Sequence, residues 1–106
     1  MIVVTSETIA NRKIVRTLGI VRGNTVRARH IGKDILAGLR NIVGGEVHEY
    51  AKLIAESREQ SIDRMVAEAE SLGANAIVAA RFTTSVMMGG AAELLAVGTA
   101  VVVEDA

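Results

Sequence analysis

Residues 47–72, with the sequence VHEYAKLIAESREQSIDRMVAEAESL, decide the fold. Apolar side chains recur there at intervals of three and four residues, whereas Lys52, Glu56 and Glu59 fall on the other face, a pattern typical of an amphipathic helix. A helix of roughly 25 residues is about 37 Å long. Gly73 follows directly, and glycine in this position ends many helices. We therefore predict one long helix, whose packing face comprises Tyr50, Leu53, Ile54, Ser61, Ile62, Met65, Val66, Ala69 and Leu72.

The residues after this helix predict two β-strands, over 76–86 and 93–104. Residues 87–92 (MMGGAA) join them, and so short a connection with two glycines indicates an antiparallel hairpin. The second strand is apolar on both faces, whereas a sheet with one face in water alternates apolar with polar residues. We therefore expect the long helix to cover one face and neighbouring subunits to cover the other. On this interpretation Val101→Asp buries an unpaired charge and breaks the oligomer.

The residues before the helix predict two further strands and a short helix. Residues 1–5 (MIVVT) form a short strand, and residues 13–26 form a longer one with a bulge or bend at Gly19. Apolar residues over 31–43 recur at helical spacing, and Gly44 and Gly45 end this segment. The predicted fold is therefore α+β, in the order β-β-α-α-β-β. A curved antiparallel β-sheet packs on one long helix plus a short helix, in a single domain over residues 1–106.

Composition excludes several classes of function. The chain has 106 residues, no cysteine, two aromatic residues and a net charge of zero. It therefore has no disulfide, no thiolate metal site and no cysteine nucleophile, and neutral charge with few aromatic residues argues against nucleic acid as a partner. No apolar run approaches the roughly 20 residues that span a bilayer, and residues 1–7 do not resemble a secretory signal. We expect a cytoplasmic protein with no membrane partner.

Charge is unevenly distributed along the chain. Residues 1–40 carry eight basic and two acidic residues, and residues 41–106 carry four basic and ten acidic residues. Either the two halves pack together, or subunits meet through complementary charges. An anion-binding face in the first half is the alternative.

Four segments in order resemble one known family. These are residues 38–45 (GLRNIVGG), Tyr50 near the start of the long helix, residues 70–78 (ESLGANAIV) and residues 97–101 (VGTAV). The combination resembles the YbjQ-like family of small uncharacterised proteins described as heavy-metal-binding. The resemblance implies a dodecin-like subunit and a ring-like homo-oligomer, with a pentamer as the expected form. The family's description points to a divalent or heavy-metal ion, and the resemblance leaves the cofactor itself unknown.

A metal site in this chain would use nitrogen and oxygen ligands. His48 lies between Glu46 and Glu49 at the start of the long helix, and a ring can bring copies of these residues together around its axis. The simpler interpretation is that Glu46 and Glu49 complement the positive helix N-terminus and that His48 is a surface residue. The spacing matches no recognised zinc motif.

Three other groups have a binding interpretation and a structural one. Arg40 with Gly44 and Gly45 can hold an anion at a helix junction, or the glycines are simply the corner between two helices. Met87 and Met88 can bind a soft ion, or they pack at an interface. A basic patch is either a solvated face or subunit contact, or a nucleic-acid site; it comprises Arg22, Arg27, Arg29, His30 and Lys33.

No spacing of residues predicts a catalytic triad or a nucleophile elbow. Three hypotheses follow. The first is a non-enzymatic homo-oligomer that binds a metal ion or small ligand. The second is a structural or protein-interaction ring with no ligand, and the third is an enzyme whose site lies between subunits.

Overall fold

The computed structural model describes residues 1–27, 47–86 and 92–106. Within these ranges it contains one helix and four strands. The predicted short helix over 31–43 lies outside the described residues. The elements are β1 (Ile2–Val3), β2 (Arg12–Arg27), α1 (Val47–Ser71), β3 (Ala76–Val86) and β4 (Ala92–Asp105).

The four strands form one mixed sheet in the order β1-β3-β4-β2. The predicted antiparallel hairpin of β3 and β4 is confirmed, and β2 pairs antiparallel with the other side of β4. β1, however, runs parallel to β3, with Ile2 opposite Ala76. The prediction of a purely antiparallel sheet is therefore wrong at this edge. Two paired residues give no recognisable pattern, and their direction is set by tertiary contacts such as the Val4 amide donating to the Ile77 carbonyl at 3.0 Å.

Two bulges bend the first half of β2. Its register against β4 shifts between Ile14 and Arg16 and again between Thr17 and Gly19. Gly19 has φ of +122°, a conformation that side-chain-bearing residues rarely adopt. The bend predicted at Gly19 is thus confirmed. From Gly19 to Arg27 the ladder is regular, so the two halves of β2 differ in shape.

The end of α1 is a Schellman motif. The Gly73 amide donates to the Glu70 carbonyl at 3.0 Å, and the Ala74 amide donates to the Ala69 carbonyl at 3.1 Å. Gly73 has φ of +86°, as this motif requires. The predicted end of the long helix is confirmed.

The main core lies between α1 and the sheet and is built largely from small residues. Gly23 of β2 lies directly under α1, and a Cβ atom there would come within 3.0 Å of the Ser61 carbonyl oxygen and the Met65 amide nitrogen. Leu72, predicted on the packing face, is instead 48% exposed, because it follows the last helical residue. The buried members of this core are Val21, Met65, Ala69, Ile77, Ala80, Ala96 and Ala100.

A second core lies on the opposite face of the sheet. Ile2, Val4 and Ile9 pack there over one end of β3 and β4. Val101 belongs to this core and is 1% exposed within a single chain. The chain's own residues 1–10 therefore cover the face that we assigned to neighbouring subunits at this end. Val101→Asp consequently disrupts the subunit itself. The buried sheet residues of the second core are Ala76, Val78, Val101 and Val103.

No helix in the described ranges is both long and apolar enough to cross a membrane.

Candidate functional site

The residues predicted to bind a ligand fall mostly outside the described part of the chain. Arg40, Gly44, Gly45 and Glu46 lie in the range 28–46, as do Arg29, His30 and Lys33 of the basic patch, and Met87 and Met88 lie in the range 87–91. His48 and Glu49 are in the first turn of α1. Both candidate sites therefore stay predictions.

The described residues reveal a different surface, which we call the open face. It is the side of the sheet opposite α1, beyond the end covered by residues 1–10. Its centre is Leu95, Val97 and Thr99 of β4, all partly exposed. Ile20, opposite Thr99, is 65% exposed. The flanking members of the open face are Ile20, Arg22, Asn24 and Val26 of β2 and Arg81, Thr83 and Ser85 of β3.

The two long sides of the open face carry different polar contacts. On β2, the Asn24 side-chain amide donates to the Glu93 carboxylate at 3.1 Å. The Arg64 guanidinium of α1 donates to the Asn24 carbonyl at 2.5 Å. On β3, the Arg81 guanidinium donates to the Thr5 carbonyl at 2.6 Å and to the Ala80 carbonyl at 2.8 Å. Arg81 thereby ties the sheet to the segment after β1.

A bulge in β3 precedes Arg81. Val78 lies opposite Thr99 and Arg81 lies opposite Val97, so Ala79 and Ala80 share one partner position on β4. Ala79 has φ of +53°, which is uncommon for a residue other than glycine. Its amide donates to the Ser6 carbonyl at 2.8 Å, and the Ala80 amide donates to the Val4 carbonyl at 3.0 Å. The segment after β1 therefore holds this backbone conformation in place.

A cluster of buried hydroxyl groups joins α1 to the sheet. The Ser61 hydroxyl donates to the Leu94 carbonyl at 3.1 Å and lies 3.3 Å from the Thr25 hydroxyl. The Thr25 hydroxyl also donates to the Ser57 carbonyl at 3.4 Å. Sequence reasoning missed Ser57, although its spacing of four residues from Ser61 placed it on the packing face. The cluster is internally bonded, so its role is to hold the helix on the sheet.

The donors available to a metal ion are limited. Soft heavy-metal ions prefer sulfur ligands, above all thiolate, and the chain has no cysteine. Within residues 1–27, 47–86 and 92–106 no three histidine, aspartate or glutamate side chains group together as metal ligands. These donors do not fit a thiolate site for a soft heavy metal. The imidazole and carboxylates of His48, Glu46 and Glu49 suit a borderline divalent ion instead.

Comparison with known proteins places the chain in a family. A family model described as "Putative heavy-metal-binding", that of the YbjQ-like proteins, matches residues 1–104. A UPF0145 protein of Methanosarcina acetivorans is 56% identical over 101 residues, which cover 95% of each chain. A UPF0145 protein of Dehalococcoides mccartyi is 57% identical over 104 residues, covering 98% of this chain and all of the relative.

A solved structure supports the fold. A Pediococcus pentosaceus protein of unknown function from the DUF74 family superposes with a TM-score of 0.64 over 98% of each chain. Its sequence identity is 13%, so the likeness concerns the fold alone. The sequence matches extend over nearly the whole chain at more than half identity. The chain therefore belongs to the YbjQ-like family of UPF0145 proteins.

Proposed function

We propose that this protein is a cytoplasmic homo-oligomer, a pentameric ring of dodecin-like subunits, that binds a divalent metal ion or another small ligand between subunits. The observation that carries the proposal is the open face. Its central strand presents Leu95, Val97 and Thr99, and Ile20 beside them is 65% exposed. Leu95, Val97 and Ile20 form a short apolar strip between the polar residues of this face, and we take this strip as a contact site for another subunit.

The size of the chain supports assembly. A domain of about 106 residues buries only about 60 to 68% of the surface of its unfolded chain. This subunit has no disulfide, and the described part of its main core is built largely from small side chains. A core of small side chains buries little apolar surface, and contacts between subunits would bury more of it.

Ring symmetry would bring the candidate metal ligands of several subunits close to one axis. One subunit contributes His48, Glu46 and Glu49 near the start of α1, and rotation about a central axis repeats this set. Imidazole nitrogens from several subunits form a coordination shell that one subunit does not supply. Arg40 with Gly44 and Gly45 is the corresponding anion site. Neither site requires a catalytic group, and we propose a binding protein that is not an enzyme.

Native mass spectrometry tests this function directly. Protein purified without added metal or chelator is weighed intact, and its metal content is measured by elemental analysis. A multiple of the 11.2 kDa subunit with a constant extra mass supports a ligand-carrying oligomer. A bare multiple that takes up neither Zn²⁺ nor Ni²⁺ on titration favours a purely structural ring. A bare monomer contradicts the proposal.

A pair of histidine variants identifies the metal ligands. His48→Ala is expected to lower Zn²⁺ affinity at least tenfold while the oligomer stays intact, and His30→Ala is the matched control with unchanged affinity. Loss of binding in His30→Ala alone would contradict the assignment of His48. If the protein shows catalytic turnover, and Arg40→Ala abolishes that turnover while the oligomer stays intact, the result would instead favour an enzyme with its site between subunits.

A further inference from the structure

Two edges of the described sheet have no neighbouring strand among the described residues. One is the outer side of β2, because β2 is the last strand in the order β1-β3-β4-β2. The other is the outer side of β3 beyond the bulge. β1 and the segment after it pair with β3 only as far as Ala80. We call residues 81–86 of β3 the free edge.

The backbone of the free edge is oriented to accept a strand. The Ala80 amide points outward, because it donates to the Val4 carbonyl on that side. Backbone groups of a strand alternate with a period of two. The amides of Phe82 and Thr84 therefore also point outward, with no described partner strand. Residues 20–27 of β2 likewise form a regular ladder with β4, and no strand from residues 1–27, 47–86 or 92–106 pairs with their other side.

The free edge lacks the devices by which monomeric proteins protect exposed strands. Such devices are prolines, bulges and outward charges, especially lysine. The chain contains no proline. The only charged residue of the free edge is Arg81, whose guanidinium bends back to the carbonyls of Thr5 and Ala80. Phe82, Thr83 and Thr84 are residue types that favour strands. An unprotected edge of this kind is a template for pairing.

The position of α1 complements these edges. The helix packs over β2 and β4 and barely contacts β3. Phe82 lies on the helix side of the sheet, opposite Ala96, yet it is 47% exposed. A sheet continued past the free edge by β2 of another copy would place that copy's α1 beside Phe82. The chain therefore carries both halves of one contact, a helix packed over β2 and a half-exposed aromatic ring at β3.

We propose that residues 20–27 of β2 pair with the free edge of a second copy, whose Phe82 is then covered by the first copy's α1. The proposal rests on the homo-oligomer proposed above and adds to it a contact between strand edges. β2 and β3 both run antiparallel to β4, so they are parallel to each other. A head-to-tail repeat makes the new ladder parallel. Each added copy leaves one β2 and one β3 edge unpaired, so the contact repeats until a ring closes.

Introduced cysteines test the contact, since the chain has none of its own. Asn24 and Thr83 both lie opposite Leu95, on the same face. Within one chain they are separated by a whole strand, at roughly 9 to 10 Å, too far for a disulfide. The double variant Asn24→Cys/Thr83→Cys is expected to form a ladder of covalent multimers under mild oxidation. Arg22→Cys and Ser85→Cys, two residues away on the same face, cover a shifted register.

The single variants and a distant control complete the experiment. Asn24→Cys alone and Thr83→Cys alone are expected to stay monomeric on a denaturing gel, as is Lys13→Cys/Thr83→Cys. Cross-linking of either single variant would overturn the head-to-tail contact. An intact oligomer by native mass spectrometry with no cross-link in any of the four β2–β3 pairs would overturn this contact but leave the proposed function standing. A monomer would overturn both.

A proline variant provides an independent readout. Thr84→Pro removes an outward backbone amide and leaves the ladder with β4 in place. Thr84→Val is the control, because it keeps the backbone amide and has a side chain of similar shape. We expect Thr84→Pro to give a folded monomer and Thr84→Val to assemble normally. A Thr84→Pro protein that assembles like the parent chain would contradict the proposal.

Discussion

Gly23 of β2 and Ser61 of α1 approach so closely that no side chain fits between them. A Cβ atom on Gly23 would come within 3.0 Å of the Ser61 carbonyl oxygen, a contact that real side chains do not make. The Met65 amide nitrogen also lies within 3.0 Å of that position. The two nearest obstructing atoms belong to the helix backbone, and the third, the Arg64 Cβ atom, is bonded directly to it. A rotamer change therefore cannot relieve the clash, and the whole helix has to move.

We therefore expect Gly23→Ala to destabilise the protein by about 3 kcal/mol, at the upper end of the usual range for overpacking. Urea denaturation followed by circular dichroism, at fixed protein concentration, measures the change. Asn24→Ala is the control, because Asn24 is exposed and its side chain makes one surface hydrogen bond. A Gly23→Ala protein as stable as Asn24→Ala would show that α1 is not held at this distance.

Val101 and Val102 are adjacent in β4 but differ in burial. Val101 is 1% exposed beneath residues 1–10. Val102 is partly exposed and lies opposite Arg16. Val101→Asp places a carboxylate in an apolar core without a partner, and we expect loss of most of the free energy of unfolding.

Val102→Asp is the matched control. Its carboxylate reaches solvent and lies on the strand beside Arg16, so we expect a loss below about 1.5 kcal/mol. Thermal unfolding of both proteins checks the comparison. A Val101→Asp protein that stays folded and only loses its assembly would restore our first interpretation of this strand.

The hydroxyl cluster predicts a coupled effect. Ser61→Ala removes the donor to the Leu94 carbonyl, and we expect a loss of about 1 kcal/mol. Thr25→Val removes the other hydroxyl without changing the shape of the side chain. Because the two oxygens lie 3.3 Å apart, the double variant should lose less than the sum of the single losses. Strict additivity in the double-mutant cycle would show that the two hydroxyls do not interact.

Gly73 predicts a purely backbone effect. Nothing lies within 4 Å of a Cβ built there, and its φ is +86°. Gly73→Ala therefore introduces no clash and is expected to cost about 1 kcal/mol through the left-handed conformation alone. Gly73→Asn should recover part of that loss, because asparagine tolerates this region better. Equal stability of the two variants, measured by urea denaturation, would contradict the assignment.

The long periodic segments were predictable from sequence. The helix was predicted over 47–72 and observed over Val47–Ser71, and the strand over 76–86 was observed as Ala76–Val86. These segments are long enough for burial on one face to repeat several times. Gly19 and Gly73 were predictable for another reason, since glycine is chosen where φ is positive.

The predictions that failed, or that were not made, concern features that depend on contacts between residues distant in sequence. β1 has two residues, and its direction comes from pairing with Ala76 and Ile77. Residues 1–10 gave no sign that they would cover Val101. Ala79 adopts a left-handed conformation, which the presence of an alanine does not predict. For the candidate site, sequence reasoning placed His48 and Glu49 at the start of α1, but a site shared between subunits depends on symmetry that one chain does not encode locally.

The bulge at Ala79 and Ala80 reverses the alternation of side chains between the two faces of β3. Ile77 and Phe82 differ in parity, so in a regular strand they would lie on opposite sides, yet both occur on the helix side. The extra residue thus decides which side chains of residues 81–86 meet the helix layer and which amides point outward. Pairing residues 78–86 with β4 without the bulge would set Phe82 opposite Leu95, on the open face, and would reverse the outward hydrogen-bonding pattern. Deleting Ala79 would remove the bulge and leave Phe82 on the helix side. One extra residue in the backbone of β3 thereby determines which side of the sheet each of residues 81–86 occupies.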